Sequence, residues 1–506
     1  MMENPFLPIV SFVKEILVAI SFVYFVALVS YRLCLHPLSK YPGPKLAAVS
    51  CLYRAYHQTW RDGRLVEQLT HLHEVYGPVV RITPNTLHFR NPQAFHDIFS
   101  PQNKTVKDQE FYHHLGLPDS SFRLEGEEHA ARLKLMSPLL GRNHMDDIQI
   151  IVRRNVQRFC DLLQSSAGNH KPIELALGYR GLALDIINEF IFAVIPDRLR
   201  GLENEKFRNP LSMSTYYSFD WTMWLMRNFP VTCHFHDFTS YLPPSLKFSY
   251  DQRNVMTELM TNLLHYNLSS PEMNDRATLI GNMTKPGSER NGKPLPESAL
   301  LDEAIGVMHG GVLDISNVLP FGTFHLAQDP KAQQKLYEEL KSVWKNPSDQ
   351  IPDHEILRNL PYLKGLVKET LRFTHGVISG MPRVVTATGA QIDGNYIPPG
   401  TIVATTSVYV HMDPNVFTNP EQFSPERWAT GDPQLERSLV PFSKGRRMCP
   451  AQNISYMEIS AAFAAVFRRF EVSLYETTEE DMKYKAYASI HYTGRPLRAT
   501  LKPRLD

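Results

Sequence analysis

From about residue 128 to 380 the apolar residues of this chain recur at helical spacing almost without interruption, and strand signals are sparse throughout that stretch. A helical run of that length restricts the fold to a mainly α architecture, with any sheet small and at the margins. The interruptions are polar, Pro/Gly-rich loops such as "TKPGSERNGKPLPES" at 284–298. Upstream, "LVEQLTHLHEVYG" has helical spacing ended by Gly77. "PVVRITPNTLHFRNP" then predicts a hairpin, two short β-rich runs around a Pro-Asn turn. Strand signals return in "GAQIDGNYIPPGTIVATTSVYV" at 389–410 and in the tail after Glu471. No internal repeat, low-complexity run or interdomain linker divides the chain. With 43% of its 506 residues hydrophobic it can bury one large core, so residues 51–506 are expected to form a single domain.

The start of the chain differs in kind. "ILVAISFVYFVALVSY", Ile16–Tyr31, carries no charge, and apolar residues continue back to Ile9 across the pair Lys14–Glu15. A bilayer core takes about 20 mostly apolar residues, and such a pair near one end can reach the headgroups, so residues 1–32 read as a membrane anchor. Arg32, Lys40 and Lys45 follow the segment, while Glu3 is the only charge before Ile9, which puts the bulk of the chain in the cytosol. A cleaved signal peptide is the rival reading, but the basic leading region and small-residue cleavage site are missing. Residues 33–50, containing "HPLSKYPGPKLAA", then form a Pro-rich hinge, expected to be stiff and extended.

Charge excludes one large class of partners. Lys and Arg number 53 against 52 Asp and Glu, which leaves no basic footprint for nucleic acid. The five cysteines, at 34, 51, 160, 233 and 449, have neither the dense even spacing of a disulfide scaffold nor a CxxC zinc pattern, as expected of a reducing, cytosol-facing chain.

One cysteine is set apart by its surroundings. Cys449 stands in "PFSKGRRMCPAQN", as Phe442-x-x-Gly445-x-Arg447-x-Cys449, just ahead of the apolar helical run "ISYMEISAAFAAVFRRF". A cysteine at a helix start is favoured as thiolate by the local amides and dipole. Gly445 allows a tight loop and Arg447 offers a cation to an acidic group. A thiolate so placed can be an axial iron ligand; an ordinary buried cysteine at a loop–helix junction is the plainer alternative.

This stretch resembles the haem loop of the cytochrome P450 family, and other stretches repeat the resemblance in the same order. Glu369-x-x-Arg372 in "VKETLRFTHG" and Arg427 in "FSPERW" match the three members of that family's buried ion network. An ExxR alone is commonplace and most often a surface ion pair; the order ExxR, PERW, cysteine loop is what carries weight. The likeness covers essentially the whole chain and is greatest to filamentous-fungal microsomal members of secondary metabolism, such as those resembling trichodiene oxygenases. It implies the P450 fold, a single-pass endoplasmic-reticulum anchor with a cytosolic catalytic domain, haem b ligated by Cys449, and electrons from NADPH through a cytochrome reductase. It also implies that Arg383 in "GMPRVVT", Arg447 and His129 in "EEHAARLKLMSP" bind the haem propionates.

The chain departs from the family at two places. In "GGVLD", Gly310–Asp314, Leu313 stands where an acid is usual and Asp314 where a threonine is usual, so the acid–alcohol pair that delivers protons is missing. Gly311 keeps its expected role of weakening the central helix, and Pro320 should kink it further on. Asp314, if desolvated, becomes the candidate proton donor; the alternative is that it binds a polar substrate group or water. His309 reads as structural. The basic partner expected four residues after His129 is Leu133, leaving Arg132 or Lys134 as substitutes. Pro450 cannot donate a hydrogen bond to the sulfur, and Ala451 replaces a glycine.

The expected function is that of a monooxygenase oxidising an apolar small molecule, terpenoid or polyketide-derived. Without the usual pair, desaturation, oxidative cyclisation or rearrangement is the alternative reaction. A haem-binding scaffold without turnover is the third reading.

Overall fold

The computed structural model describes all residues except 1–6, 114–115, 142–143, 168–170, 218–220, 230–243, 275–276, 289–291 and 505–506, so Cys233 lies outside the described residues. Helix α1 (Leu7–Ser30) is the apolar amino-terminal segment, and Phe12, Leu17, Phe22 and Phe25 on it are all more than half exposed. Phe12–Leu35 is long and apolar enough to cross a membrane and is not buried against the rest of the protein, as a membrane anchor would be. The Pro-rich segment that follows is not extended throughout. It turns through residues 36–41, buries Leu38, and accepts the Arg81 N–H at the Pro42 carbonyl (2.8 Å), so it lies against the sheet.

Helix α2 (Leu65–Tyr76) ends at Gly77, and the predicted hairpin follows as β1 (Val79–Thr83) and β2 (Thr86–Phe89) around Pro84–Asn85. Three further strands complete a five-stranded sheet: β3 (Thr105–Lys107), β4 (Arg383–Val385) and β5 (Ile402–Ala404), in the order β1-β2-β5-β4-β3. The β2–β5 pair is parallel and joins distant parts of the chain. Residues 407–410, at the end of the stretch expected to return to strand, belong instead to a helical turn, Ser407–His411. Its first N–H groups need an acceptor, and the Thr406 hydroxyl accepts from Val408 N–H (3.3 Å), so the cap outweighs the β-branched composition.

The helical body comprises α3 (Gly126–Leu140), α4 (Met145–Ala167), α5 (Leu175–Ile191), α6 (Glu297–Leu313), α7 (Ile315–Gln328), α8 (Pro361–Thr374) and α9 (Gln452–Arg469). Both α6 and α7 pack on α5, while α7, α8 and α9 pack on one another. Their contacts form the main core, with Leu182, Leu319, Leu363 and Phe463 wholly enclosed. The apolar run α6–α7 is also long enough for a membrane but is mostly buried, as a core element is. Near the end of the chain a hairpin of β6 (Tyr484–Ala486) and β7 (Ile490–Tyr492) packs against α7.

Candidate active site

The cysteine loop is tight for steric reasons. Gly445 has φ +77°, and a Cβ there would lie 2.1 Å from the Phe99 carbonyl oxygen, so both backbone conformation and packing require glycine. Cys449 N–H donates to the Phe442 carbonyl (2.9 Å), and the Phe442 ring packs on Tyr456 of α9 with centroids 5.3 Å apart. The sulfur faces a cavity of about 500 Å³ and accepts a hydrogen bond from Ala451 N–H. That single N–H does not make a thiolate. Burial pushes the thiol up to about 11, against the expectation from the helix start, because desolvation outweighs one amide. The charge of a bound metal would favour its ionisation.

The same cavity reaches the junction of α6 and α7. The central helix is broken there, at Asp314 itself. The Asn317 N–H goes to the Asp314 carbonyl (3.0 Å), and the Leu313 carbonyl is taken by the side chains of Ser316 (3.0 Å) and Asn317 (2.8 Å). Gly311 has a different reason from the one expected: a Cβ there would lie 2.6 Å from the Ile187 side chain, so the close approach of α5 requires it. Asp314 lines the cavity and accepts a hydrogen bond from the Ser489 hydroxyl (2.5 Å). Burial raises its carboxyl above the ordinary aspartate range, and the Ser489 bond opposes that rise. His309 also lines the cavity, held neutral by burial at about 3. Phe122, Ile187, Phe190, Val307 and Leu313 make much of the remaining lining apolar.

A third edge of the cavity is cationic. Arg383, Arg447 and His129 all line it, and so does Lys107, which sequence reasoning missed. Lys107 on β3 pairs directly with Arg383 on β4, a neighbour only the sheet creates. Arg383 donates to Tyr112 Oη (3.1 Å), and Arg447 to the carbonyls of Leu124 (2.9 Å) and Ser121 (3.0 Å). Burial, with Arg447 and Arg383 nearby, lowers the Lys107 ammonium well below its ordinary range, and Glu125 offsets this in part. Burial, with Arg447 and Lys107 nearby, pulls His129 down to about 4, so its imidazole is neutral at pH 7. The two substitutes considered for Leu133 are elsewhere. Arg132 is paired with the fully buried Glu303 (2.7 Å), and Lys134 is exposed.

These features fit haem. Among the described residues no group of three or more His, Cys, Asp or Glu could hold a metal, so an iron here has to bring most of its ligands with it. A macrocycle with two carboxylates also matches a buried surplus of cations facing the same cavity as one cysteine. Below the loop, Glu369, Arg372 and Arg427 converge, with Arg372 Nη2 and Arg427 Nε at 2.8 and 2.9 Å from Glu369 Oε1. Glu458 of α9, also missed in the sequence, lines the cavity with its carboxyl raised well above the usual range by burial.

Comparison with known proteins bears on the family of the chain. A family model described as Cytochrome P450 matches residues 44–496. The Cytochrome P450 monooxygenase BOT1 of Botryotinia fuckeliana is 32% identical over 489 residues, covering 94% of each chain. Conidiogenone synthase PchP450 of Penicillium rubens is 28% identical over 471 residues, covering 91% of this chain and 93% of that protein. The Cytochrome P450 monooxygenase TRI4 of Fusarium sporotrichioides is 27% identical over 490 residues, covering 94% and 91%.

Proposed function

The chain belongs to the cytochrome P450 family, and on that premise we propose that it is a membrane-anchored monooxygenase of secondary metabolism that oxidises an apolar terpenoid or polyketide-derived molecule. The exposed apolar helix α1 supports anchoring of residues 1–32 in the endoplasmic reticulum membrane, with residues 33–50 as the connection and 51–506 as the cytosolic catalytic domain. Electrons come from NADPH through a cytochrome reductase. The apolar cavity lining supports the substrate class.

When bound, haem would supply the iron that activates oxygen, and the Cys449 thiolate would supply the electron push for O–O cleavage. The protein's residues do the rest. Cys449 would ligate the iron, and Lys107, Arg383, Arg447 and His129 would hold the propionates. The apolar wall excludes water around the substrate. Asp314 holds a proton at its carboxyl and releases it into the cavity, a role supported by its raised carboxyl and its position at the helix break. That position is the observation carrying the reading, since Leu313 leaves the usual acid position apolar.

The test is turnover of candidate substrates by the protein reconstituted with reductase and lipid under isotopically labelled oxygen. Label is expected in the product. Unlabelled product with the same reductase requirement would point to desaturation or cyclisation, and haem loading without turnover of any candidate to the scaffold reading. Asp314→Asn is expected to lower product formation about 100-fold with haem content unchanged; wild-type turnover would remove Asp314 from the mechanism. Lys107→Ala should weaken haem retention about tenfold, as loss of a charge-assisted hydrogen bond does. Lys134→Ala, which alters an exposed residue on α3, should leave retention unchanged in the same haem-transfer assay.

A further inference from the structure

The hydroxyl absent from the central helix is supplied by another part of the fold. The β6–β7 hairpin meets the break between α6 and α7 through three side-chain bonds. Ser489 Oγ donates to Asp314 Oδ1 (2.5 Å), Asn317 Nδ2 to the Ile490 carbonyl (2.8 Å), and Tyr492 Oη to the Asn317 carbonyl (3.0 Å). Ser489 is held at the break by its neighbours as well as by its own bond.

Behind Ser489 lies a second cavity of about 40 Å³. A water needs roughly 10–15 Å³ of such space and two to four polar partners. Arg180, Ser316, Asn317, His491 and Tyr492 line this space, and the buried Arg180 Nη1 has no hydrogen-bond partner among the described residues. Gly494 and Arg495 also line it, and the Arg495 side chain is 55% exposed. Ser489 lines both cavities, so its hydroxyl stands between a water-sized space of mixed lining that holds several polar groups and the carboxylate in the active site.

We propose that Ser489 relays protons from water in this second cavity to Asp314, so that the alcohol of the proton-delivery pair comes from the carboxy-terminal hairpin. The inference rests on the reading of Asp314 as proton donor. Each cycle balances. Asp314 releases one proton into the active-site cavity and takes the Ser489 hydroxyl proton. Ser489 Oγ accepts a proton from a cavity water, and solvent replaces it past Arg495. No bond other than O–H is made or broken. Arg180 and His491 position the water and are not catalytic.

Two kinds of measurement on the holoenzyme with its reductase test this. In infrared spectra, the Asp314 carboxyl band is identified by its loss in Asp314→Asn, and Ser489→Ala is expected to shift that band. In turnover, Ser489→Ala should form product about tenfold more slowly, with more reducing equivalents diverted to peroxide and an altered solvent deuterium isotope effect. Ser489→Thr, which keeps the hydroxyl, should restore all three. If Asp314→Asn is impaired while Ser489→Ala keeps the band, the coupling and the isotope effect of wild type, the relay is wrong and the Asp314 reading stands. An unimpaired Asp314→Asn removes both. A Ser489→Ala enzyme with raised KM but unchanged coupling and isotope effect makes the serine an anchor for the hairpin and overturns the relay.

Discussion

Cys449→Ala is expected to abolish product formation and the thiolate signature of the reduced carbon-monoxide complex, with little change in the stability of the haem-free protein. Among the described residues Cys449 is the only cysteine lining the cavity; Cys34 and Cys51 are exposed and Cys160 is buried elsewhere. No neighbouring His, Asp or Glu cluster among the described residues can take over the metal. The side chain is half-buried beside a cavity, so truncation to alanine creates little new void, and a cost within about 1 kcal/mol is expected. Haem should still bind weakly through the propionate cations, which makes the spectrum more informative than haem content. Burial holds the metal-free thiol at about 11, so iron ligation at neutral pH has to expel its proton. Haem loading of wild type should therefore release about one proton more than loading of Cys449→Ala, as read in weakly buffered solution. A persisting thiolate spectrum or turnover in the variant would reassign the ligand.

What could be read in the sequence was whatever depends on neighbours along the chain. The Pro84–Asn85 turn specifies the β1–β2 hairpin, and the spacing around Gly445 specifies a loop that only glycine fits. Features made by tertiary contact were not readable. Lys107 is an isolated cation until β3 pairs with β4 and places it beside Arg383. Arg132 looked free to replace the missing basic partner, but α6 brings the buried Glu303 to it. Residues 407–410 have strand composition, and the Thr406 cap with the surrounding packing makes them helical. The Cys449 thiol shows the same division. Its place before a helix suggested an anion, yet desolvation of the sulfur by the surrounding fold, invisible in the sequence, reverses the sign. The substitution at Asp314 was legible as a departure, while the hydroxyl that accompanies it comes from a hairpin far along the chain.

The largest effect on stability is expected at Glu369. Its carboxylate accepts from Arg372 Nε (3.0 Å) and Nη2 (2.8 Å), Arg427 Nε (2.9 Å), Ser424 N–H (3.0 Å) and Trp428 Nε1 (2.9 Å), and both Glu369 and Arg372 are wholly buried. Removing one partner of a buried pair leaves an uncompensated charge, at about 3–5 kcal/mol, a large share of the roughly 5–15 kcal/mol that holds a typical domain folded. The damage should also reach the cysteine loop. Arg372 Nη1 donates to the His411 carbonyl (2.9 Å), and His411 Nε2 accepts the Val440 N–H (2.9 Å), one residue before Pro441. That bond fixes the tautomer: His411 Nδ1 carries the proton and donates to His375 Nδ1 (3.2 Å). Gly376, next to His375, packs so closely that a Cβ would lie 2.2 Å from the Pro441 carbonyl oxygen. Glu369→Ala should therefore lower the denaturation midpoint and also impair thiolate ligation in whatever protein remains folded. Lys335→Ala is the matched control, because it breaks an ion pair to Glu426 in the same segment. Both of its partners are more than half exposed, so less than about 1 kcal/mol is expected. If the two variants melt alike with intact thiolate spectra, the network does not hold the loop, and Cys449 is positioned by the Gly445 turn and α9 alone.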